Sequence, residues 1–176
     1  AYGWPGVGLV RTRVTAPYAR SLSTDSRRTW IGSLDHPDLQ PPGWTTTRRP
    51  TTVKAATDVV VYELHVRDFS ASDASVRPAW RGKYLAFTEP DSLGKRHLRA
   101  MAAAGLTDVH LLPIFDLATV PEAGCTSPDT ATLAQAAADS PEPQARVMAG
   151  AAGDCFNWGY DPWHFTAPEG SFATRA

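Results

Sequence analysis

The strongest hydrophobic pattern lies in the middle of the chain, where two apolar runs enclose an amphipathic segment. Residues 59–66 (VVVYELHV) are rich in β-branched side chains and do not alternate strictly at first, which is typical of a strand buried on both faces. Residues 109–113 (VHLLP) form a second run of strand length. Between the runs, Leu98, Met101 and Ala102 recur at helical spacing. The pattern therefore predicts a strand, a helix and a second strand.

The predicted helix carries signals at both ends. Asp91 and Ser92 are good N-cap residues, and Gly105 suits the position just past a helix C-terminus, so the helix should run to about Ala104. A strand–helix–strand unit of this spacing is a parallel crossover, which is right-handed in nearly all proteins. The periodicity alone fits both a (β/α) barrel and an open doubly wound sheet.

The N-terminal third is richer in Pro, Gly, Thr and Arg than the middle of the chain. Short apolar runs such as residues 7–10 predict the last strands of a β module over residues 1–34. Several prolines within residues 35–57 prevent regular structure, and this stretch is predicted to be an ordered linker.

The third predicted unit, residues 58–176, begins with the first apolar run and contains a long insertion. The insertion covers residues 117–155 and carries two Ala-rich segments, residues 129–138 and 141–152, which are predicted to be helical. A connection of this length after a strand tends to carry function.

Composition and charge argue against some classes of function. A net charge of −1 over 176 residues argues against a nucleic-acid-binding protein. No stretch approaches the ~18 apolar residues of a membrane-spanning helix, so no membrane partner is predicted.

Cys125 and Cys155 fit no zinc signature and are compatible with either a disulfide or two free thiols. The chain begins at Ala1 without Met and ends without a stop signal, so it is expected to be an excerpt of a longer protein.

An aromatic segment near the C-terminus is the strongest candidate for ligand binding. Residues 156–162 (FNWGYDP) place three rings beside an amide, a carboxylate, a glycine and a proline. Gly159 frees the backbone, and Pro162 directs Asp161 away from helical geometry. A loop with flat rings and hydrogen-bonding groups suits a sugar, which has apolar faces and hydroxyl edges. The alternative is a surface loop whose rings pack under a neighbouring element.

Several blocks, in order and at consistent spacing, resemble the type I pullulanase and limit dextrinase group of the α-amylase superfamily. The blocks are residues 62–70 (YELHVRDFS), 81–88 (RGKYLAFT), 110–120 (HLLPIFDLATV), 157–162 (NWGYDP) and 168–174 (PEGSFAT). The N-terminal part resembles the junction after the group's starch-binding-type module more loosely. Two residues depart from the pattern, because Phe156 stands where the group usually has Tyr, and Ala16 where it usually has Asp.

The resemblance implies an α/β fold, namely the N-terminal portion of a (β/α)8 barrel. The chain would supply the barrel's first two strands and first helix, preceded by the end of a β-sandwich starch-binding-type module. The group hydrolyses α-1,6-glucosidic linkages in pullulan, amylopectin and limit dextrins with retention. Its catalytic Asp, Glu and third Asp lie on later strands, beyond Ala176, so no catalytic residue is expected in this chain. The isolated chain is therefore predicted to be inactive, and also poorly soluble or loosely folded, since two barrel strands cannot close on themselves.

The same resemblance assigns the substrate-binding residues. Tyr160 matches the tyrosine that stacks on the glucosyl ring at the cleavage site. Trp158, Asp161 and Asn157 complete the predicted substrate-binding set, with bracing of the loop as their expected contribution.

Other polar residues are expected to be structural. Glu63 and Asp68 should form ion pairs with Arg67 or other basic groups rather than act as a catalytic pair. Three of the five histidines, His65, His110 and His164, lack metal-ligand spacing and are expected to be hydrogen-bonded within the fold. Asp116, at the end of the second predicted strand, is a candidate for the rim of a cleft.

The expected partners are an α-glucan (pullulan, amylopectin or limit dextrin) and the remainder of the chain's own barrel. No cofactor is predicted. The resemblance allows calcium in the intact enzyme, but no residue of this chain is predicted to bind it. One alternative is a non-catalytic glucan-binding module using Tyr160, Trp158 and Trp163 as a platform. Another is an isoamylase-type or branching activity, which the intact signature disfavours. The sequence does not fix a compartment, which would be extracellular or periplasmic for a secreted bacterial protein and plastid for a plant or algal one.

Overall fold

In a computed structural model of the protein, the described residues form three separate strand pairs and two helices. The structure describes residues 2–4, 8–10, 14–50, 53–129, 131, 133–156 and 158–174. The strands are β1 (Tyr2–Trp4), β2 (Gly8–Val10), β3 (Val61–Leu64), β4 (Asp108–Leu111), β5 (Phe115–Leu117) and β6 (Pro162–Pro168), and the helices are α1 (Leu93–Ala103) and α2 (Glu142–Ala149). Short 3-10 turns occupy many of the connections. Neither helix has the length and apolar character needed to cross a membrane, and no other helix among these residues does.

The predicted strand–helix–strand unit is confirmed, but the expected burial of its first strand on both faces is wrong, since Val61 is 54% and Tyr62 36% exposed. β3 and β4 pair in parallel from Val61 opposite Asp108 to Leu64 opposite Leu111, with α1 between them in the chain. Ser92 caps α1, its hydroxyl oxygen accepting a hydrogen bond from the Lys95 amide at 3.2 Å. Among the residues described, β3 and β4 are the parallel strands, so the closed barrel stays a prediction.

Another strand pair, not predicted from the sequence, begins with β5 shortly after β4 and is completed by β6 near the C-terminus. β5 and β6 run antiparallel, with Asp116 opposite His164 and Leu117 opposite Pro162. The register is irregular on both sides of Asp116. β6 begins at Pro162, the last residue of the aromatic segment, so that segment leads straight into a sheet.

The insertion folds differently from its prediction in one part. The helix predicted over residues 129–138 is wrong: the described residues there contain a 3-10 turn at Leu133–Gln135, while residues 130 and 132 lie outside the description. The Asp129 carboxylate accepts a hydrogen bond from the Ala131 amide at 3.0 Å, a local contact that competes with helix formation. The second predicted helix is confirmed as α2, which is shorter than predicted.

A disulfide closes the insertion. Cys125 and Cys155 are bonded, with their Cα atoms 5.0 Å apart, so of the two alternatives left by the sequence the structure has the disulfide.

The N-terminal part is mostly irregular. β1 and β2 form an antiparallel hairpin, which agrees with a strand in residues 8–10, whereas Val7 lies outside the described residues. In the predicted linker, the short 3-10 turns Pro37–Leu39 and Trp44–Thr46 occur, and the residues described there contain no strand. A single hairpin does not make a sandwich, so the β-sandwich module also stays a prediction.

Candidate functional site

The backbone on both sides of Tyr160 is held in place. Gly159 is buried with φ +91°, and a Cβ atom there would lie 2.8 Å from the carbonyl oxygen of Pro113, just past β4. Glycine is therefore required for the close approach. Asp161 accepts a hydrogen bond from the Ala118 amide at 3.1 Å through its backbone, and its carboxylate accepts one from the Thr119 hydroxyl. Between these two fixed points the Tyr160 side chain is 72% exposed.

Trp158 lies on the other side of Gly159 and belongs to a cluster of rings. It is 56% exposed and meets Phe156 edge-on, with ring centroids 5.2 Å apart. The buried His65 ring contacts both rings, at 5.4 Å from Phe156 and 6.5 Å from Trp158. Trp158 also lines a cavity of about 430 Å³ beside β3. Asn157 lies outside the described residues, so its predicted role stays a prediction.

A second, larger cavity lies on the side of Phe156 and Trp163. Its volume is about 520 Å³, and Asp25, Thr119 and Glu122 supply polar groups to its wall. Trp158 and Trp163 therefore line different cavities. The three rings suggested as a platform for a stand-alone glucan-binding module, Tyr160, Trp158 and Trp163, are all more than half exposed, and that alternative stays a prediction.

Behind the aromatic segment runs a buried chain of polar contacts. The Ser26 hydroxyl donates to Asp116 Oδ1 at 2.6 Å, and Asp116 Oδ2 lies 2.5 Å from His164 Nδ1. The other ring nitrogen of His164 lies 2.7 Å from the Thr15 hydroxyl. Asp116 is 1% exposed, so its assignment to a cleft rim is wrong, because both of its oxygens are used inside the fold. The expectation that His164 is a hydrogen-bonded structural residue is confirmed.

Three carboxylates converge beside this chain of contacts, an arrangement that the sequence analysis missed. Asp116, Glu122 and Glu169 each place an oxygen within 4.8 Å of the others. Retaining glycosidases hold two carboxyl groups about 5 Å apart, so the spacing invites comparison. Glu169 is 1% exposed and accepts hydrogen bonds from the amides of Leu117, at 2.8 Å, and Ser171, at 2.7 Å. The pair formed by Asp116 and Glu169 is therefore enclosed and cannot reach a glycosidic bond.

The same cluster does not fit calcium. Calcium takes six to eight oxygen ligands, whereas both oxygens of Asp116 and of Glu169 already have partners in the fold. Burial raises the pKa of Glu122 above its ordinary value, and the neighbouring carboxylates of Glu169, Asp116 and Asp25 raise it further, against a hydrogen bond from the Asp25 amide. A raised pKa disfavours the ionised carboxylate, which is the form that binds metals.

The carboxylates of the first strand region pair with basic groups. Asp68 lies 3.1 Å from Arg67, which confirms the predicted ion pair. Glu63 instead faces His110 at 3.4 Å, across the parallel β3–β4 pair. Among the described contacts, neither Glu63 nor Asp68 lies beside a second carboxylate.

Comparison with known proteins identifies the relatives of the chain. It is 45% identical to pullulanase 1, chloroplastic, of Arabidopsis thaliana over 162 residues, which cover 90% of this chain and 17% of the relative. The crystal structure of apo pullulanase from Klebsiella pneumoniae superposes with a TM-score of 0.86 at 33% identity, covering 99% of this chain and 23% of that chain. By sequence and by structure, the chain is a relative of the pullulanases.

The match to pullulanases, which are debranching hydrolases of the α-amylase superfamily, extends to a ligand complex. The K. pneumoniae pullulanase complexed with maltotriose superposes with a TM-score of 0.85 at 33% identity, covering 99% of this chain and 20% of that chain. No family model matches the chain. The chain thus spans about a fifth of the length of the pullulanases it matches.

Proposed function

We propose that this chain forms one wall of the glucan cleft in an enzyme that cleaves α-1,6-glucosidic linkages of starch and pullulan with retention. The observation that carries the proposal is the exposed ring of Tyr160, 72% accessible between two immobilised neighbours, Gly159 and Asp161.

A fixed backbone with an exposed ring is suited to stacking on a sugar. The C–H face of a glucosyl ring and the face of a tyrosine both release water when they meet. Since the loop is already held by Pro113, Ala118 and Thr119, little conformational entropy remains to be lost on binding.

The position of Tyr160 also supports a place in a barrel. Barrel active sites lie at the carboxyl ends of the parallel strands. Gly159 packs against Pro113, two residues beyond the end of β4, which brings Tyr160 to that end of the β3–β4 pair. In the proposed enzyme, β3, α1 and β4 would be the first two strands and first helix of a (β/α)8 barrel, and β1 and β2 the end of a β-sandwich module.

Hydrolysis itself is assigned to residues outside this chain. The enclosed Asp116 and Glu169 pair cannot act on a substrate, and the resemblance puts the catalytic carboxylates on later barrel strands. The isolated 176-residue chain should therefore release no reducing sugar from pullulan.

The test uses the full-length protein and two substitutions of one residue. Tyr160→Ala should lower kcat/KM on pullulan at least about tenfold, a change equivalent to about 1.4 kcal/mol, whereas Tyr160→Phe keeps the ring and should retain most of the activity. Reducing-sugar release and maltotriose affinity are the measurements. Equal activity of Tyr160→Ala and the wild type would overturn the assignment of Tyr160. A full-length protein that binds maltotriose but releases no reducing sugar would point to the non-catalytic glucan-binding alternative.

A further inference from the structure

We propose that the cavity walled by Phe156 and Trp163 is a second binding site for a neutral glucan segment, next to the Tyr160 platform. It lies between the irregular N-terminal segment, the chain that leaves β5 and the residues that follow α2. The inference rests on the proposed function, because it takes the same class of substrate.

The walls of this cavity combine rings with polar groups. Trp163 is 54% exposed although it belongs to β6, and Phe156 forms a second aromatic surface. Thr119, Asp25 and Glu122 contribute hydroxyl and carboxyl oxygens, which suit the hydroxyl edges of a sugar. The volume of about 520 Å³ falls within the range of about 300–1,000 Å³ usual for small-molecule sites.

Electrostatics favours an uncharged ligand over an ion. No Lys, Arg or His is among the described residues that line the cavity, so an anionic ligand such as a sugar phosphate would find no cation there. The carboxylate of Asp25 is compensated by Arg27 at 3.1 Å. Burial raises the pKa of Glu122, because a buried site disfavours the charged carboxylate. A neutral ligand with many hydroxyl groups remains as the best match.

The cavity is close to the Tyr160 platform but distinct from it. Tyr160 is not among the residues that line it, and Trp158 lines the other cavity, beside β3. Tyr160 and Trp163 are three positions apart in the chain, so their Cα atoms are at most about 11 Å apart. Two binding positions at this separation can be occupied independently or by one longer glucan.

The experiment counts maltotriose sites on the full-length protein by isothermal titration calorimetry. Trp163→Ala should remove one site per protein molecule, or weaken it at least about tenfold. Ala152→Trp should do the same by filling the cavity from the residues that follow α2, without deleting any aromatic ring. Trp44→Ala is the matched control, since Trp44 is 63% exposed and lines neither cavity, and it should leave all sites intact.

The outcomes separate this inference from the proposed function. Loss of the same site in Trp163→Ala and Ala152→Trp, with a different site lost in Tyr160→Ala, supports both. Wild-type stoichiometry and affinity in both cavity variants, with a site lost in Tyr160→Ala, overturns the inference and leaves the proposed function standing. If Trp163→Ala lowers the melting temperature strongly, its loss of binding can come from unfolding. The stoichiometry measured with Ala152→Trp then decides whether the cavity binds maltotriose. A wild-type protein that binds no maltotriose overturns both.

Discussion

The β3–α1–β4 unit and the β5–β6 pair lie next to each other in the chain but are stabilised differently. In the first unit, Ser92 caps its own helix, and the pair formed by Glu63 and His110 is more than half exposed on both sides. In the second, the central contact joins residues 149 positions apart, Thr15 and His164, and is linked to a buried carboxylate. β6, which follows the aromatic segment, is therefore positioned by a long-range contact with the N-terminal segment, while the aromatic segment itself is held by Pro113, Ala118 and Thr119.

The largest expected difference concerns two carboxylates that each face a histidine. Asp116→Ala would leave the buried His164 and Ser26 without their shared partner and should reduce the free energy of unfolding by about 3 kcal/mol or more. Glu63→Ala is the matched control, because Glu63 faces His110 with side chains 56% and 69% exposed, and should cost less than about 1 kcal/mol. Urea denaturation of both variants measures the difference. Equal costs would contradict the contrast between the two regions.

The next largest expected effect is the difference in stability between Ala substitutions at two glycines with positive φ, one in each region. Gly105 ends α1 with φ +110° and has open space where a Cβ atom would lie, so Gly105→Ala should cost only the backbone strain of about 1–2 kcal/mol. Gly159→Ala adds a clash with the carbonyl oxygen of Pro113 at 2.8 Å and should cost about 3 kcal/mol in total. It should also weaken maltotriose binding, because Tyr160 is the next residue. Thermal melts and calorimetry test both statements, and a Gly159→Ala variant as stable as Gly105→Ala would show that the loop can move away from β4.

The smallest effect is a pH dependence of opposite sign in the two regions. The pKa of Glu122 is raised above 4.5 by burial and neighbouring carboxylates, so its contribution to stability is present below that value and is lost as the pH rises through the folded-state pKa. The pKa of Glu89, before α1, is lowered from 4.5 by its hydrogen bond from Arg77, so its contribution is present above that value and is lost as the pH falls.

Melting temperatures measured between about pH 3 and pH 8 separate the two groups. Glu122→Gln should remove a decline on the alkaline side, and Glu89→Gln a small decline on the acid side. Identical pH profiles for wild type and Glu122→Gln would show that Glu122 ionises as an ordinary exposed carboxyl.

The sequence was a good guide where local signals agree. Apolar runs, the Ser92 cap and Gly105 predicted β3, α1 and β4 because each depends on neighbours within a few residues. The Ala-rich segment at residues 129–138 misled the prediction, since helix propensity without an apolar face to bury does not outweigh a local turn at Asp129. β5 escaped prediction because a three-residue strand has too little pattern to detect.

The candidate site, like the fold, was predictable from the sequence only in part. The aromatic segment and its resemblance to pullulanases singled out Tyr160 from the sequence alone, because the motif is contiguous. The burial of Asp116, the convergence with Glu122 and Glu169, and the separation of Trp158 from Trp163 into two cavities were decided by the tertiary structure. These features arise from contacts between residues far apart in the chain, and a side chain's role as a surface group or an interior hydrogen-bond partner depends on what the fold brings against it.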